Sequence, residues 1–356
     1  MSTNPVYTPY PLPYSAFTEK ETPPASLNGF IDRLASSIFK VKEGSSMVSE
    51  HEKGNSGHTI HYVWLKDTVS PSFVIKQFGG YASKKMNRLF HTKAALEIMN
   101  QHTFKNLTHP KIIKWGPSNE SPHLGYMATT YLEGTGFTSK LESFSHTTIS
   151  SYSRQLLLIK LCSDYKMAGK CLAELHNTKI LKGKSEPFIS ILAHLIEPRK
   201  EYVLRILEKA HITLSTTAID INQLAEDAKK NPGSSTYVHG DAYLNNFILG
   251  EKIGLIDFDN MIYSIGENLD PIGIPTMDRE QFLFSIEVYG YYFKLEAQEI
   301  SALKEAFLNE YTETFKGEHT EEAKRFFRLY WLYYALSKPK SDIKWVADII
   351  NQEYPD

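Results

Sequence analysis

The pattern of apolar residues changes at Gly134, and this change constrains the fold more than any other feature of the sequence. Before it, runs at His58–Leu65, Ser72–Phe78 and Tyr126–Leu132 are rich in β-branched and aromatic residues and have the length of strands. Between them, Lys84–Gln101 has the apolar spacing of a helix. We therefore predict an α+β protein with a small, β-rich N-terminal lobe, which contains one main helix, and a larger, mostly helical C-terminal lobe.

The second part of the chain is predicted to consist of long helices with a few short strands between them. The predicted helices are Ser151–Leu175, Phe188–Ala210, Gln281–Leu295, Ala297–Phe315 and Glu321–Leu336. The predicted strands are Thr236–Val238, Phe247–Leu249 and Ile253–Ile256. The N-terminal lobe is expected to span 29–132, beginning with a short amphipathic helix at 29–40, and the C-terminal lobe 133–356.

Residues 1–28 form a predicted N-terminal arm that contains six prolines. Proline fixes φ and removes a hydrogen-bond donor, so this arm is expected to be extended and irregular. Tyrosine and phenylalanine side chains alternate with the prolines. Two interpretations stay open, a flexible tail or an arm that packs its aromatic rings onto the folded body.

Composition excludes several classes of protein. The chain of 356 residues has 39 Lys and Arg against 41 Asp and Glu, so we expect no extended electrostatic contact with nucleic acid. We find no run of about 20 apolar residues and no secretory signal pattern, so we expect no membrane span. Cys162 and Cys171 would lie about 13 Å apart on one helix, too far for a disulfide, which favours a reducing, cytoplasmic compartment.

The segment Tyr237–Asn260 carries three oxygen-bearing side chains around two short apolar strands. Asn246 precedes the first strand and Asp257 follows the second, so a hairpin would bring them to the same end. Amide and carboxylate oxygens are ligands that Mg²⁺ prefers. Asp241 lies just upstream, where it could orient a hydroxyl nucleophile. This segment therefore predicts a magnesium site with a carboxylate nearby that could orient a hydroxyl.

These residues resemble a known family. His239-Gly240-Asp241, Asn246 and Ile256-Asp257-Phe258-Asp259 are similar to the catalytic and metal-binding motifs of the aminoglycoside phosphotransferase and choline kinase superfamily, small-molecule relatives of the protein kinases. The resemblance implies a bilobal protein-kinase-like fold. Gly240 stands where protein kinases have Arg, which favours the small-molecule branch.

The resemblance also implies a role for each candidate residue. Asp241 would be the catalytic residue, and Asn246 and Asp257 would bind Mg²⁺. The remaining candidates would bind ATP, namely Lys76 at the α- and β-phosphates, Gly54 and Ser56 in a loop over the phosphates, and Tyr131 and Leu132 at the adenine.

One position departs from the family pattern. The helix after Lys76 should supply a glutamate for an ion pair with that lysine, but Lys93 occupies the aligned position and Glu97 follows one turn later. Either the helix is shifted by a turn, or Lys76 is held differently. Asp259 has two open interpretations, a second metal contact or a helix cap.

The predicted function is transfer of the γ-phosphoryl group of ATP, with Mg²⁺, to a hydroxyl group of a small molecule. An aminoglycoside-like sugar would be bound by acidic side chains, and an amino alcohol such as choline or ethanolamine by the aromatic helix at Arg328–Leu336, whose rings attract quaternary ammonium groups. The acidic candidates are Glu267, Asp270, Asp278 and Glu280. A catalytically inactive nucleotide-binding pseudokinase and a protein kinase are the alternatives, and the oligomeric state stays open.

Overall fold

The structure is a computed structural model that describes residues 46–53, 59–65, 68–78, 84–117, 125–147, 151–215, 220–338 and 342–355. The predicted N-terminal arm at 1–28, the predicted helix at 29–40 and the predicted phosphate-loop residues Gly54 and Ser56 lie outside these ranges. The predictions made for them therefore stay predictions.

The described residues form a mixed α+β structure. Its helices are α1 (Lys84–Asn100), α2 (Phe137–Ser145), α3 (Ser151–His176), α4 (Glu186–Lys209), α5 (Ile221–Lys230), α6 (Thr276–Tyr292), α7 (Ala297–Thr314), α8 (Glu321–Leu336) and α9 (Ile343–Glu353). Its longer strands are β1 (Ser46–Lys53), β2 (Thr59–Leu65), β3 (Phe73–Phe78), β5 (Ile112–Pro117), β6 (Gly125–Thr130), β10 (Phe247–Leu249) and β11 (Ile253–Leu255). Two-residue strands are β4 (Leu107–Thr108), β7 (Thr135–Gly136), β8 (Leu181–Lys182) and β9 (Ser234–Ser235).

The chain divides into two compact units. Of the described residues, those within 46–103, 108–134 and 254–262 belong to the first unit, and those within 104–107, 135–253 and 263–355 belong to the second. The short segment Gly254–Ile262, which includes Asp257 and Asp259, thus belongs to the first unit although it follows most of the second in sequence. The lobe boundary predicted after residue 132 stays a prediction.

A five-stranded antiparallel sheet forms the first unit, in the order β1-β2-β3-β6-β5. Phe73 and Ile75 of β3 are buried, and α1 packs on β3 and β6 with Leu89 and Leu96 in the core. Because successive side chains of a strand point to opposite faces, Lys76 lies on the face opposite to Ile75. Lys76 therefore lies on the central strand of this sheet, paired in register with Met127 of β6.

The second unit is mostly helical. Helices α3 and α7 pack closely along their length, and α8 packs against α5 and α6. A Cβ atom at Gly169 of α3 would overlap the carbonyl group of Phe307 in α7, so only glycine allows this close approach. Aromatic and aliphatic side chains of α4, α5, α6 and α8 form one large core. None of the described helices is long and apolar enough to cross a membrane.

Two predicted elements differ from the structure. The strand predicted at Thr236–Val238 is reduced to an isolated bridge between Thr236 and Gly273. The reason is that the next backbone donor, Val238 N, bonds to the Ser264 hydroxyl and not to a neighbouring strand. The helix predicted from Gln281 begins five residues earlier, at Thr276.

Candidate active site

A buried carboxylate holds the loop that carries the predicted catalytic residue. Asp278, on α6, accepts hydrogen bonds from the backbone N–H of His239 at 2.6 Å and of Gly240 at 2.8 Å. Gly240 has φ of +78°, a left-handed conformation that is strained for a residue with a side chain. The loop thus depends on a glycine for its shape and on Asp278 for its position.

Asp278 is fixed in turn by a second buried network. The Nε2 atom of His176 lies 3.1 Å from Asp278 Oδ2, and its Nδ1 atom lies 2.7 Å from the hydroxyl of Tyr311. An ionised carboxylate only accepts hydrogen bonds, so Nε2 carries the proton, and Nδ1 then accepts from Tyr311. Helices α3, α6 and α7 are therefore tied together directly behind the loop.

We expect Asp278→Ala to lower the free energy of unfolding by about 3 kcal/mol, because two buried backbone N–H groups would lose their acceptor. Chemical denaturation followed by circular dichroism measures this change. Asp270→Ala is the matched control, since Asp270 pairs with Lys179 and Lys184 at the surface, where water screens the charges. Equal loss of stability in the two variants would contradict the role given to Asp278.

Both carboxylate oxygens of Asp241 accept a hydrogen bond from a side-chain amide. Gln281 Nε2 donates to Oδ1 at 3.1 Å, and Asn246 Nδ2 donates to Oδ2 at 3.1 Å. Gln281 Oε1 also accepts from the N–H of Ala242 at 2.5 Å, and Asn246 Nδ2 donates to the Asp241 carbonyl at 2.7 Å. These hydrogen bonds hold the Asp241 carboxylate in one orientation.

His239 contributes to this loop through its ring. The side chain is fully buried, and its Nδ1 atom accepts a hydrogen bond from the N–H of Asp241 at 3.2 Å. Because this nitrogen is directed at the backbone and the ring is removed from solvent, the geometry gives His239 a structural role in the loop.

Lys76 lies between two carboxylates of the first unit. Its Nζ atom is 2.6 Å from Asp257 Oδ1 and 2.9 Å from Asp259 Oδ2. Burial disfavours the charged ammonium, but the attraction of Asp257 and Asp259 outweighs it and raises the pKa of Lys76 above its ordinary value. The lysine is therefore positively charged and suited to bind phosphate oxygens.

The backbone at Asp257 is in an unusual conformation. Its φ is +66°, which costs a residue with a side chain about 1–2 kcal/mol and is tolerated best by Asp and Asn. The side chain is 39% exposed, whereas that of Asp259 is 9% exposed. Strained residues concentrate at functional sites, and this one turns an accessible carboxylate toward Lys76.

The structure places the candidate residues in two groups. Lys76 and Asp257 are in contact within the first unit, and Asp241 and Asn246 are in contact within the second. Tyr131 and Leu132 follow directly after β6 in the first unit, in irregular backbone, and are half-buried. The Tyr131 ring packs edge-on against Tyr62 with 6.0 Å between the ring centroids.

The donor atoms suit a magnesium ion. The Asn246 amide nitrogen is bonded to Asp241, so its amide oxygen is turned away from that residue. The Asn246 amide oxygen in the second unit and the accessible Asp257 carboxylate in the first unit are each hard oxygen ligands of the kind that Mg²⁺ prefers. Within the described ranges, no cluster of three or more His, Cys, Asp or Glu is gathered for a metal.

Most of the side chains considered for the acceptor are already engaged. Asp278 holds the loop that contains His239 and Gly240, Glu280 is buried in an ion pair with Arg279, and Asp270 pairs with two lysines. In α8 the large aromatic residues are buried in the core of the second unit, namely Phe326, Phe327, Tyr330, Trp331 and Tyr333. Neither these three acidic side chains nor these five aromatic rings line an open pocket for an acceptor.

Tyr334, the half-buried ring of α8, already has cations next to it. The guanidinium carbon of Arg199 lies 4.3 Å from the ring centroid, and Lys338 Nζ lies 4.2 Å from it. These two cations already make cation–π contacts with the Tyr334 ring, which a quaternary ammonium ligand would also have to contact. The aromatic helix therefore gives little support to a choline-type acceptor.

Sequence reasoning missed Gln281 and Thr92. Gln281 lies three residues after Asp278 on α6, so both side chains fall on the same helix face. Thr92 Oγ1 lies 2.5 Å from Asp259 Oδ1. The polar run Asp278–Gln281 is followed directly by large apolar residues, which indicate a buried helix. This combination was a usable signal that polar side chains at the start of this helix are buried as well. Nothing in the sequence around Thr92 distinguished it.

The sequence was also compared with protein families and with curated proteins. The model of the phosphotransferase enzyme family APH matches residues 53–264, more than half of the chain. A search of curated protein sequences finds no match.

Two solved structures have a similar fold. A glucosamine kinase in complex with glucosamine, ADP and inorganic phosphate is 12% identical, with a TM-score of 0.54 over 92% of this chain and 83% of that chain. Aminoglycoside phosphotransferase APH(4)-Ia is 13% identical, with a TM-score of 0.54 over 93% of this chain and all of that one (100%). Together with the described α+β architecture, they confirm the predicted kinase-like fold.

Proposed function

The chain belongs to the phosphotransferase enzyme family APH, and from this premise we propose that it transfers the γ-phosphoryl group of ATP to a hydroxyl group of a small molecule, with Mg²⁺. The observation that carries the proposal is the Asp241 carboxylate, both of whose oxygens accept amide hydrogen bonds at 3.1 Å. A carboxylate oriented in this way can direct an acceptor hydroxyl along the line of attack that phosphoryl transfer needs.

The residues divide the work between binding and proton transfer. Lys76 would bind the α- and β-phosphates, and Asn246 and Asp257 would hold Mg²⁺, which neutralises negative charge on the phosphate oxygens. Asp241 would orient the acceptor hydroxyl and receive its proton as the new oxygen–phosphorus bond forms, while the bond between the γ-phosphorus and the β-phosphate oxygen breaks and ADP leaves.

Nucleotide recognition relies on residues of the first unit. Tyr131 and Leu132, which follow β6, would bind the adenine through their backbone groups. Gly54 and Ser56 would cover the phosphates with backbone N–H donors. These two assignments rest on the family resemblance, and a nucleotide-binding assay of Gly54→Val would test the loop.

For the acceptor, we propose an amino sugar or a related hydroxylated molecule ahead of an amino alcohol. The aromatic rings of α8 are buried, and Tyr334 already contacts Arg199 and Lys338, which disfavours capture of a quaternary ammonium group. The similar fold of a glucosamine kinase agrees with a sugar acceptor, although fold alone does not determine a substrate.

The test is an acceptor panel of amino sugars, aminoglycosides, neutral sugars, choline, ethanolamine and a generic protein substrate, each with ATP and Mg²⁺. We expect acceptor-dependent ADP release with a hydroxylated small molecule, highest among the amino sugars. Release with the protein substrate alone would contradict the small-molecule proposal. Nucleotide binding without ADP release for any acceptor would indicate a pseudokinase.

A further inference from the structure

We infer that Asp259, linked to helix α1 through Thr92, positions Lys76 for the nucleotide in place of the helix glutamate that the kinase-like pattern leads one to expect. This inference rests on the proposed function, because it assigns a positioning role within the same nucleotide site. It also accounts for the one departure from the family pattern in the sequence, where Lys93 stands at the expected glutamate position.

The first step is the contact between the lysine and two carboxylates of different accessibility. Lys76 Nζ lies 2.6 Å from Asp257 and 2.9 Å from Asp259. The Asp257 side chain is 39% exposed, so it is accessible to a metal ion, whereas the Asp259 side chain is 9% exposed. When Asp257 turns to the metal, Asp259 is the carboxylate that keeps its contact with the lysine.

The second step is the link to α1. Thr92 lies on α1, is buried, and has its hydroxyl 2.5 Å from Asp259 Oδ1. The same hydroxyl lies 2.8 Å from the carbonyl of Arg88, one turn earlier in the helix. Thr92 therefore joins α1 to Asp259, and Asp259 joins both to Lys76, so the helix reaches the lysine through two side chains instead of one.

The third step excludes the alternative glutamate. Glu97 accepts from Lys93 at 2.5 Å in an exposed pair on α1. Lys93 itself lies over the ring of Trp115, with 5.0 Å between Nζ and the ring centroid. Glu97 is thus committed to a surface pair, and no shift of the helix by a turn is needed to explain how Lys76 is held.

The burial of Asp259 gives the hydroxyl of Thr92 its role as a hydrogen-bond donor. A buried carboxylate needs a hydrogen-bond donor for each oxygen, because an unsatisfied buried oxygen is costly. Lys76 donates to Oδ2 of Asp259, and the Thr92 hydroxyl donates to Oδ1. Thr92→Val keeps the branched shape of the side chain but removes the hydroxyl, so Asp259 Oδ1 loses this donor.

The experiment measures the KM for ATP and kcat with Mg²⁺ and the best acceptor from the panel. We expect Asp259→Asn to raise the KM for ATP about tenfold and Thr92→Val about threefold, with kcat changed less than KM. Thr92→Ser keeps the hydroxyl and should stay within about twofold of the parent. The double variant with Asp259→Asn and Thr92→Val should have the same KM for ATP as Asp259→Asn alone, because both changes act on one hydrogen-bond network.

Glu97→Gln is the matched control on the same helix, and we expect it to leave the KM for ATP unchanged. An increase with Glu97→Gln and none with Asp259→Asn would overturn the inference in favour of the helix glutamate. If the parent binds ATP and Asp259→Asn has the same KM for ATP as the parent, the inference about Asp259 is overturned, and the proposed function is not. A parent that neither binds ATP nor releases ADP would overturn the proposed function and this inference with it.

Loss of folding would be recognised separately. Thermal unfolding is compared for all variants, and a variant with a lower midpoint is assayed at a temperature where it is fully folded. A purely structural Asp259 would lower the midpoint and leave the KM of the folded protein unchanged, an outcome that also contradicts the inference. Thr92→Ser, which retains the hydroxyl, must recover the parental KM for the inference to hold.

Discussion

Asp241→Asn is expected to lower kcat about 10³-fold while the affinity for ATP stays within about twofold of the parent. The change removes the carboxylate charge and the proton acceptor but keeps the size of the side chain. Lys76 and Asp257, which are proposed to bind the nucleotide and the metal, are untouched. Steady-state ADP release and calorimetric titration with ATP and Mg²⁺ measure the two effects separately.

Gln281→Leu provides a graded comparison for this prediction. It removes the amide that donates to Asp241 Oδ1 at 3.1 Å and leaves the carboxylate itself in place. We expect kcat to fall about tenfold, far less than for Asp241→Asn, since the carboxylate loses one hydrogen bond and the buried Ala242 N–H loses its acceptor, while the proposed proton acceptor stays in place. An Asp241→Asn enzyme that turns over at the parental rate would show that another group receives the proton.

Asp257→Ala is the second change with a large expected effect. We expect it to abolish the Mg²⁺-dependent part of ATP binding, a loss of about 100-fold or more in affinity, because an accessible carboxylate ligand is removed. Lys76 would also lose its contact at 2.6 Å. Calorimetric titration with ATP, in the presence and absence of Mg²⁺, measures the loss.

Glu251→Gln is the control for Asp257→Ala. Glu251 is an exposed acid in the turn that precedes β11, so its removal changes the net charge by the same amount near the same segment. We expect its titration to match that of the parent. If Asp257→Ala bound ATP with an unchanged dependence on Mg²⁺, Asp257 would not be the metal ligand.

The motifs of the site could be predicted because they are local in sequence. Asp241 and Asn246 lie five residues apart, and the amide-to-carboxylate contact between them follows from the turn that joins them. Thr92 and Asp259, by contrast, are separated by 167 positions, and a threonine in a helix has no pattern that reveals a distant carboxylate. The supporting contacts arise from tertiary packing, which a single sequence does not display.

The same distinction applies to the fold. Helices α1, α3 and α8 were predicted within one residue at each end, because their apolar spacing is long and regular. The strand predicted at Thr236–Val238 failed for a different reason. Its apolar composition is typical of a strand, but side chains far away in sequence, Ser264 and Asp278, take the backbone donors that begin at Val238.

The backbone conformation at Gly240 limits how this protein can be regulated. Any other L-amino acid at φ of +78° would add about 1–2 kcal/mol of strain, so the arginine through which protein kinases sense a phosphorylated segment is sterically disfavoured here. A form of control that depends on that arginine is therefore not available to this loop.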